Sequence, residues 1–300
     1  MTGETTDDEM AAIAAEAMDL GLPAPATSVR RVSLGTGPHR LSALRWGEAP
    51  ARVVLLHGAA LNAHTWDGVL ARWGVDALAL DLPGHGDSPW RSDGDYSPVT
   101  VAAPVRSALD AALAAGAVVA SPVLVGQSLG GLTALELAAQ GLPVERILLV
   151  DVVPLPASSG AQVAAFLAGP PSFSSREVIV EHAMAFGLVG DRRRLERAVR
   201  LNTRVRDDGR VVWTHHLGAL AAAGTLRLEL DGEHLWDVLR ALPAPVDVVR
   251  GERGVVTPEL LSRLAAERPA ARVVTLAAGH NVQEDAPVAL ADTLRDLSAA

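Results

Sequence analysis

The stretch Val123–Gly141, VLVGQSLGGLTALELAAQG, joins an apolar run to an Ala- and Leu-rich segment through the motif Gly-x-Ser-x-Gly. The first part is typical of a buried strand, and the second has the spacing of a helix. Ser128 therefore stands at a sharp strand-to-helix turn between Gly126 and Gly130. Such a turn strains the backbone at the serine, and glycines leave no Cβ atoms in the way. The pattern predicts a nucleophile elbow, with the start of the helix presenting an amide to a developing oxyanion.

Short runs rich in Val, Leu and Ile recur along the chain, and most are followed by a turn signal and a stretch of helical spacing. The six runs are ARVVLLHG (51–58), DALALDLPGHG (76–86), SPVLVGQS (121–128), VERILLVD (144–151), APVDVVRGE (244–252) and ARVVTLAAGH (271–280). Strands that are apolar on both faces and alternate with helices indicate a parallel sheet covered on both sides, which is the α/β class. Two earlier alternating runs, TSVRRVSLG (27–35) and HRLSALRWGE (39–48), predict an antiparallel hairpin at one edge through the turn TGPH.

The alternation breaks between about Pro154 and Leu242, where the pattern becomes helical only. Candidate helices there are SREVIVEHAMAFGLVG (175–190), DRRRLERAVRLNTRV (191–205) and DGEHLWDVLRAL (231–242). We therefore expect a core made of residues 1–153 and 243–300, with residues 1–25 as an N-terminal helical arm. Residues 154–242 would form a helical cap over the carboxyl ends of the strands, where open α/β sheets bind ligands.

Composition and charge exclude several classes of function. The chain of 300 residues is 49% hydrophobic and 20% charged, which is typical of a folded globular protein. A net charge of −9 without a run of basic residues argues against a nucleic-acid partner, and the absence of cysteine excludes disulfides, thiolate zinc sites and cysteine nucleophiles. The N-terminal segment is acidic where a signal peptide would be basic, and no apolar run reaches the roughly 18 residues of a membrane span. We expect a cytoplasmic protein that does not bind membranes.

A serine nucleophile needs a base that titrates near neutrality, and histidine fits this requirement. His280, in LAAGHNVQEDAP (276–287), follows the last predicted strand and opens a loop. A second loop, LLHGAALNAHTW (55–66), follows an earlier strand. An amide of Ala59, or in the alternative of Ala60, would complete an oxyanion hole with the amide of Leu129.

Other histidines and aromatic residues have weaker signals. We interpret His57 and His85 as structural residues, because each lies beside a strand end or in a glycine-flanked turn before the nucleophile. Six residues are candidates for the wall of a substrate pocket, with ordinary packing as the alternative: Ala60, His64, Trp66, Trp213, His215 and His216.

Four motifs in this order, HGAA (57–60), DLPGHGDS (81–88), GQSLGG (126–131) and AGHNVQEDAP (278–287), resemble the α/β-hydrolase superfamily. The resemblance extends from about Val53 to the C-terminus, apart from the cap. It implies an α/β-hydrolase fold with a mostly parallel eight-stranded sheet, a helical cap after the sixth strand, and a Ser-His-acid triad with Ser128 and His280. Serine at position 128 argues against the epoxide hydrolases and haloalkane dehalogenases of the superfamily, which use an aspartate there.

The third member of the triad departs from the usual pattern. In most relatives the acid comes three residues after a glycine that follows the seventh strand, and in VVRGERGVVTPE (248–259) that position holds Gly254. Glu252 and Glu259 are alternatives. We prefer Asp151, at the end of the sixth predicted strand, because some branches of the superfamily carry their acid there. Neighbouring strands stand about 4.8 Å apart, so this carboxylate would be within reach of the histidine loop.

These residues predict a serine hydrolase that cleaves an ester or lactone of a small, largely apolar molecule through an acyl-enzyme. No cofactor and no metal are expected, and the partner is a small-molecule substrate. Two alternatives stay open: a carbon-carbon bond hydrolase or lyase that uses the same Ser-His pair, and a non-catalytic ligand-binding protein on a hydrolase scaffold. The sequence does not determine the oligomeric state.

Overall fold

Eight strands pair into one sheet in the computed structural model, which describes residues 6–37, 40–185 and 192–299. The strands are β1 (Val29–Leu34), β2 (Leu41–Trp46), β3 (Ala51–Leu56), β4 (Ala77–Leu80), β5 (Val118–Gln127), β6 (Arg146–Val150), β9 (Val246–Gly251) and β10 (Val273–Leu276). Their order across the sheet is β1-β2-β4-β3-β5-β6-β9-β10. Strand β2 is antiparallel to β1 and to β4, and the other neighbours are parallel. The predicted fold class is confirmed.

Both faces of the sheet are buried. In β3, Val54 and Leu56 belong to one apolar cluster, while Val53 and Leu55 belong to the other. Helices α3 (Pro98–Ala114), α4 (Leu129–Ala139), α9 (Gly232–Ala241) and α10 (Pro258–Glu267) cover the first face, and α1 (Thr6–Asp19), α2 (Asp67–Trp73) and α12 (Pro287–Ala299) cover the second. The continuous apolar runs of the central strands follow from this double burial.

The structure also contains the two elements that we predicted for the N-terminal part of the chain, the hairpin and the helix. Strands β1 and β2 pair from Val29 opposite Trp46 to Leu34 opposite Leu41, although residues 38–39 of the predicted turn lie outside the described part of the chain. The predicted N-terminal helix is α1, and its residue Ile13 is buried in the cluster of the second face. Among the described residues, no helix is both long enough and apolar enough to cross a membrane.

The segment between β6 and β9 is not helical only, and that prediction was wrong. It contains α5 (Ser158–Leu167), α6 (Arg176–Ala185), α7 (Arg192–Asn202), α8 (Leu217–Ala222) and α9, but also a hairpin of β7 (Thr203–Val205) and β8 (Val211–Trp213). The helix predicted over 191–205 ends at Asn202, and the part of the 175–190 prediction that falls on 186–190 lies outside the described residues. Gly209, with φ of 76°, closes the turn between the two strands. We call residues 154–242 the inserted segment.

Candidate active site

Ser128 occupies a strained turn between β5 and α4. Its φ is 50° and its ψ is −120°, which for a residue other than glycine costs on the order of 1–3 kcal/mol. A Cβ added at Gly126 would lie 2.5 Å from Gly130 O, and one added at Gly130 would lie 2.2 Å from Leu56 O. The glycines are therefore required because the start of α4 packs directly on the backbone of the strands.

His280 lies in the loop between β10 and α11 (Val282–Asp285), beside the end of β6. Its Nδ1 is 2.8 Å from Asp151 Oδ2. A carboxylate only accepts hydrogen bonds, so this contact puts the proton on Nδ1 and leaves the lone pair on Nε2. The imidazole side chain is 36% exposed, whereas the Asp151 side chain is fully buried. The histidine is thus held from its buried side and open on the other.

The Asp151 carboxylate is fixed by two further donors. Gly251 N–H donates to Oδ1 at 2.9 Å, and Val255 N–H donates to Oδ2 at 2.8 Å. Asp151 itself has φ of 46°, a second strained residue at the end of a neighbouring strand. Charge-assisted bonds to backbone amides orient a carboxylate without supplying a competing charge. The arrangement suits a carboxylate that orients a histidine.

Gly254 lies against this carboxylate. A Cβ added there would be 2.1 Å from Asp151 Oδ1 and 2.4 Å from Asp151 Cγ. Position 254, where the family resemblance leads us to expect the acid, is therefore next to the carboxylate of Asp151. The alternatives Glu252 and Glu259 are exposed, and a hydrogen bond from the side chain of Thr257 lowers the pKa of Glu259. The structure brings Asp151, and neither glutamate, to His280.

Ser128 and His280 are not hydrogen bonded to each other. Instead, Nε2 of Gln127 lies 3.2 Å from His280 Nε2, within hydrogen-bond distance of the base lone pair. Hydrogen bonds between nucleophile and base are often long in unliganded enzymes and tighten when substrate binds. Sequence reasoning missed Gln127, and the signal available was a polar residue at the end of an otherwise apolar strand.

The two backbone amides predicted for the oxyanion hole, those of Leu129 and Ala59, belong to different elements. Leu129 is the first residue of α4, so its amide has no acceptor within the helix. In the loop after β3, Ala60 N–H donates to His85 Nε2 at 3.1 Å. Because the amide of Ala60 is already hydrogen bonded, the amide of Ala59 is the better candidate for the oxyanion donor of this loop.

His57 and His85 support the loop around this site, in keeping with the structural roles that we predicted. His57 Nε2 accepts from Leu82 N–H at 2.9 Å, and its Nδ1 donates to Gly58 O at 2.7 Å. His85 Nδ1 donates to Pro83 O at 2.9 Å. Burial lowers the pKa of His57 to about 4 and that of His85 well below its ordinary value. Both rings are neutral near pH 7, and each uses one nitrogen as donor and the other as acceptor.

Two of the predicted pocket residues are buried. Trp66 is fully buried in the apolar cluster of the second face, so its assignment to the pocket wall was wrong. His64 is also buried, and its Nδ1 is 2.8 Å from Asp67 Oδ2. The short turn of 3₁₀ helix at Ala63–Trp66 directs both side chains into the protein.

Three other predicted pocket residues, Trp213, His215 and His216, belong to a row of rings. Trp213 packs on Phe173 at 5.7 Å and on His215 at 5.5 Å between ring centroids, and His215 lies 6.3 Å from the ring of His85. Burial lowers the pKa of His215 to about 4. His216 is farther along the row, where its Nδ1 is 2.9 Å from the hydroxyl of Tyr96 and its ring stacks on that of Trp90 at 4.4 Å.

A polar cavity of about 370 Å³ lies beside the site, between α7 and the loops after β3 and β10. Its lining includes Asn62, His64, Arg194, Arg197, Gln283 and Glu284. Neither Ser128 nor His280 lines it, so this cavity is not centred on the candidate nucleophile. Within residues 6–37, 40–185 and 192–299, no three His, Asp or Glu side chains are grouped as ligands of a metal ion.

The chain is similar to known hydrolases over most of its length. The model of the alpha/beta hydrolase family matches residues 53–293. Esterase Rv0045c of Mycobacterium tuberculosis is 38% identical over 303 aligned residues, which cover 96% of this chain and 95% of the esterase. A crystal structure of that esterase matches with a TM-score of 0.82 and 38% identity over 100% of both chains. The crystal structure of E-2-(acetamidomethylene)succinate hydrolase, 22% identical with a TM-score of 0.76 over 91% of this chain and 100% of its own, shares the fold.

Proposed function

This chain belongs to the alpha/beta hydrolase family, and from that premise we propose that it cleaves an ester or lactone of a small, largely apolar molecule through an acyl-enzyme on Ser128. That the protein is an ester-hydrolysing enzyme rests on the family match and on an esterase relative of 38% identity over nearly the full chain. The same relative favours ester hydrolysis over the carbon-carbon hydrolase and lyase alternatives.

The observation that carries the proposal is the hydrogen bond between His280 Nδ1 and Asp151 Oδ2 beside the strained Ser128. It supplies the acid whose absence at position 254 was the reason to consider a non-catalytic protein. With Asp151 in that role, the binding-protein alternative has no remaining support. Three residues that are far apart in sequence thus supply a nucleophile, a base and a group that orients the base.

In the proposed reaction, Ser128 Oγ attacks the carbonyl carbon of the substrate while its proton passes to His280 Nε2. Asp151 keeps the Nδ1 proton in place and stabilises the imidazolium without taking a proton. The amides of Leu129 and Ala59 would bind the oxyanion, each contributing about 3 kcal/mol in the transition state. His280 then protonates the leaving alcohol, and a water molecule activated by the same histidine releases the acyl group.

We propose that the inserted segment acts as the cap of this site. Asn62, in the loop after β3, donates from Nδ2 to Leu201 O at 2.8 Å and to Asn202 Oδ1 at 3.0 Å, so the end of α7 is tied to the loop that carries Ala59. His216 N–H donates to Gly84 O at 2.8 Å on the other side. These bonds hold the segment over the carboxyl ends of the strands. The rings of Phe173 and Trp213 would then offer an apolar wall to the substrate.

A fluorophosphonate probe tests the nucleophile directly, because it reacts with an activated serine and forms a stable adduct. We expect the wild type to be labelled and to hydrolyse short p-nitrophenyl esters or lactones, and we expect Ser128→Ala to lose both properties. The thermal unfolding of Ser128→Ala serves as the control for its fold. Labelling that persists unchanged in Ser128→Ala would refute the assignment of the nucleophile.

A further inference from the structure

Gln127, the residue before the candidate nucleophile, is fully buried at the end of β5. Its side-chain Nε2 lies 3.2 Å from His280 Nε2, 3.2 Å from His280 O and 3.5 Å from Asn281 Oδ1. Its Oε1 is also buried and has no hydrogen-bond partner among the described residues. A buried amide oxygen without a hydrogen-bond partner costs folding free energy, so this placement needs a physical explanation.

The surroundings of the amide fix which end faces the histidine. His280 O and Asn281 Oδ1 both accept hydrogen bonds, so the group that faces them is the NH₂ end. The proton on His280 Nδ1 points to Asp151, which leaves an acceptor lone pair on Nε2. The amide therefore donates to the same lone pair that must receive the proton of Ser128.

From these contacts we infer that Gln127 is a positioning residue, which holds the neutral ring of His280 with its base lone pair on Nε2 until the substrate arrives. The inference rests on the proposed function, since it assigns a partner to the base of that reaction. A donor at Nε2 stabilises the neutral imidazole relative to the imidazolium, which would instead place an N–H against the NH₂ group. In the reaction, Ser128 Oγ–H must take the place of the amide.

Gly58 gives the amide the room that it needs. A Cβ added at Gly58 would lie 2.0 Å from Gln127 Oε1, so any larger residue would displace the side chain.

Other charged groups around His280 stay the same when Gln127 is replaced. Asp151 approaches from the end of β6, Asp285 Oδ2 accepts from Gly279 N–H at 2.6 Å, and Glu284 Oε2 accepts from Asn281 Nδ2 at 3.3 Å. Arg253, in the loop after β9, donates its backbone N–H to Ala278 O at 3.0 Å. A comparison of wild type and variant therefore isolates the hydrogen bond of the amide.

The test is the pH dependence of kcat/KM for a p-nitrophenyl ester in wild type, Gln127→Leu and Gln127→Met. Loss of a hydrogen bond to the neutral ring should move the midpoint of the acid limb to higher pH by about 0.5 to 1 unit. The methionine variant keeps an unbranched chain that fits irregular space and serves if the leucine variant does not fold. Gln283→Leu is the matched control, because Gln283 is also buried with an unpartnered Oε1 but bonds Thr65 Oγ1 at 3.0 Å and has no hydrogen bond to His280.

We expect the acid limb to move in both Gln127 variants and to stay in place in Gln283→Leu, with a lower thermal midpoint in all three. If the Gln127 variants lose thermal stability as Gln283→Leu does but keep the wild-type acid limb, Gln127 only joins two loops and the inference is overturned. A wild type that neither reacts with the fluorophosphonate nor turns over esters would overturn the proposed function, and this inference with it.

Discussion

Gly254 leaves room for the carboxylate of Asp151, which we propose as the acid of the site. A side chain at 254 and the carboxylate of Asp151 compete for one volume, since a Cβ at Gly254 would lie 2.1 Å from Asp151 Oδ1. The two positions belong to neighbouring parallel strands or the loops that follow them, whose carboxyl ends meet at one edge of the sheet. A carboxylate beside His280 could therefore come from position 151 or from position 254.

Exchanging the two residues tests this argument. Asp151→Gly should lower kcat about 10⁴-fold, as expected when a histidine loses its orienting carboxylate, and glycine tolerates the φ of 46° at that position. Adding Gly254→Asp to that variant should recover part of the lost kcat, because the new side chain would enter the volume that the Asp151 carboxylate occupied. The measurement is kcat for the best p-nitrophenyl ester.

The control for the exchange is Gly254→Asp alone. It should lower activity, since two carboxylates cannot share the volume beside His280. If the double variant is no more active than Asp151→Gly, position 254 does not reach the histidine and the argument from shared volume is wrong.

Some residues of the site could be predicted from sequence, and others could not. Ser128 and His280 were predicted from motif and chain order, whereas Asp151 was preferred to Glu252 and Glu259 because position 254 holds a glycine. The engagement of the Ala60 amide by His85 and the contact of Gln127 with His280 depend on distances between separate loops. Trp66 was wrongly assigned to the pocket wall, because its position in a loop near the site does not reveal that its side chain turns into the core.

At the scale of elements, a buried ion pair joins α7 to the core. The guanidinium of Arg197 contacts Asp67 Oδ2 at the start of α2 and lies 3.5 Å from Glu16 Oε2 of α1. The side chain of Asp67 is 1% exposed, so this carboxylate depends on its partners. The opposite side of the same helix carries Arg192, which pairs with exposed glutamates.

Removing each arginine of α7 in turn should separate buried from exposed ion pairing. Arg197→Leu leaves Asp67 buried without its cation, which should cost about 3–5 kcal/mol of the free energy of unfolding. Arg192→Leu removes contacts in high dielectric and should lower the free energy of unfolding far less. Urea unfolding measures both, and limited proteolysis shows whether α7 detaches. Equal losses in the two variants would mean that the buried pair does not anchor the helix.

Six strands of the main sheet were predictable from apolar runs that are bounded by turn signals, and β1 and β2 were predictable from their alternation. The hairpin of β7 and β8 was missed, since each strand has only three residues and LNTRV continues the helical spacing of α7. An Asp-Gly turn at Asp208–Gly209 was the available signal. Pairing with Phe173, whose N–H donates to Val211 O at 2.8 Å, completes this short sheet and is a contact that local sequence does not contain.

For the molecule as a whole, buried neutral histidines link the active-site loops to stability. His57, His85 and His215 are all buried, and burial lowers the pKa of each. The folded protein holds these rings neutral, while the unfolded chain lets them take up protons at an ordinary pKa near 6.5. Burial raises the pKa of Glu284, so this one carboxyl group favours the folded state at lower pH and opposes the effect of the histidines.

The free energy of unfolding should therefore fall as the pH is lowered from about 6.5 toward 4. In this window the unfolded state binds more protons than the folded state, so stability is complete above pH 6.5 and is lost on the way to the folded pKa of about 4 of His57 and His215. Each of these two rings contributes on the order of 3 kcal/mol to this loss. Urea unfolding at pH 7.5, 6.5, 5.5 and 4.5 measures the slope.

His215→Asn tests the assignment, because an amide oxygen can replace Nδ1 as acceptor for Gly218 N–H, at 3.2 Å in the wild type, and does not titrate. The free energy of unfolding of the variant at pH 7.5 gives the packing cost of the substitution. Its values at lower pH are compared with that value. The slope of stability against pH near 5.5 should then decrease by nearly one proton, about 1.4 kcal/mol per pH unit. An unchanged slope would show that His215 takes up its proton without unfolding, and that the row of rings beside the inserted segment is open to water.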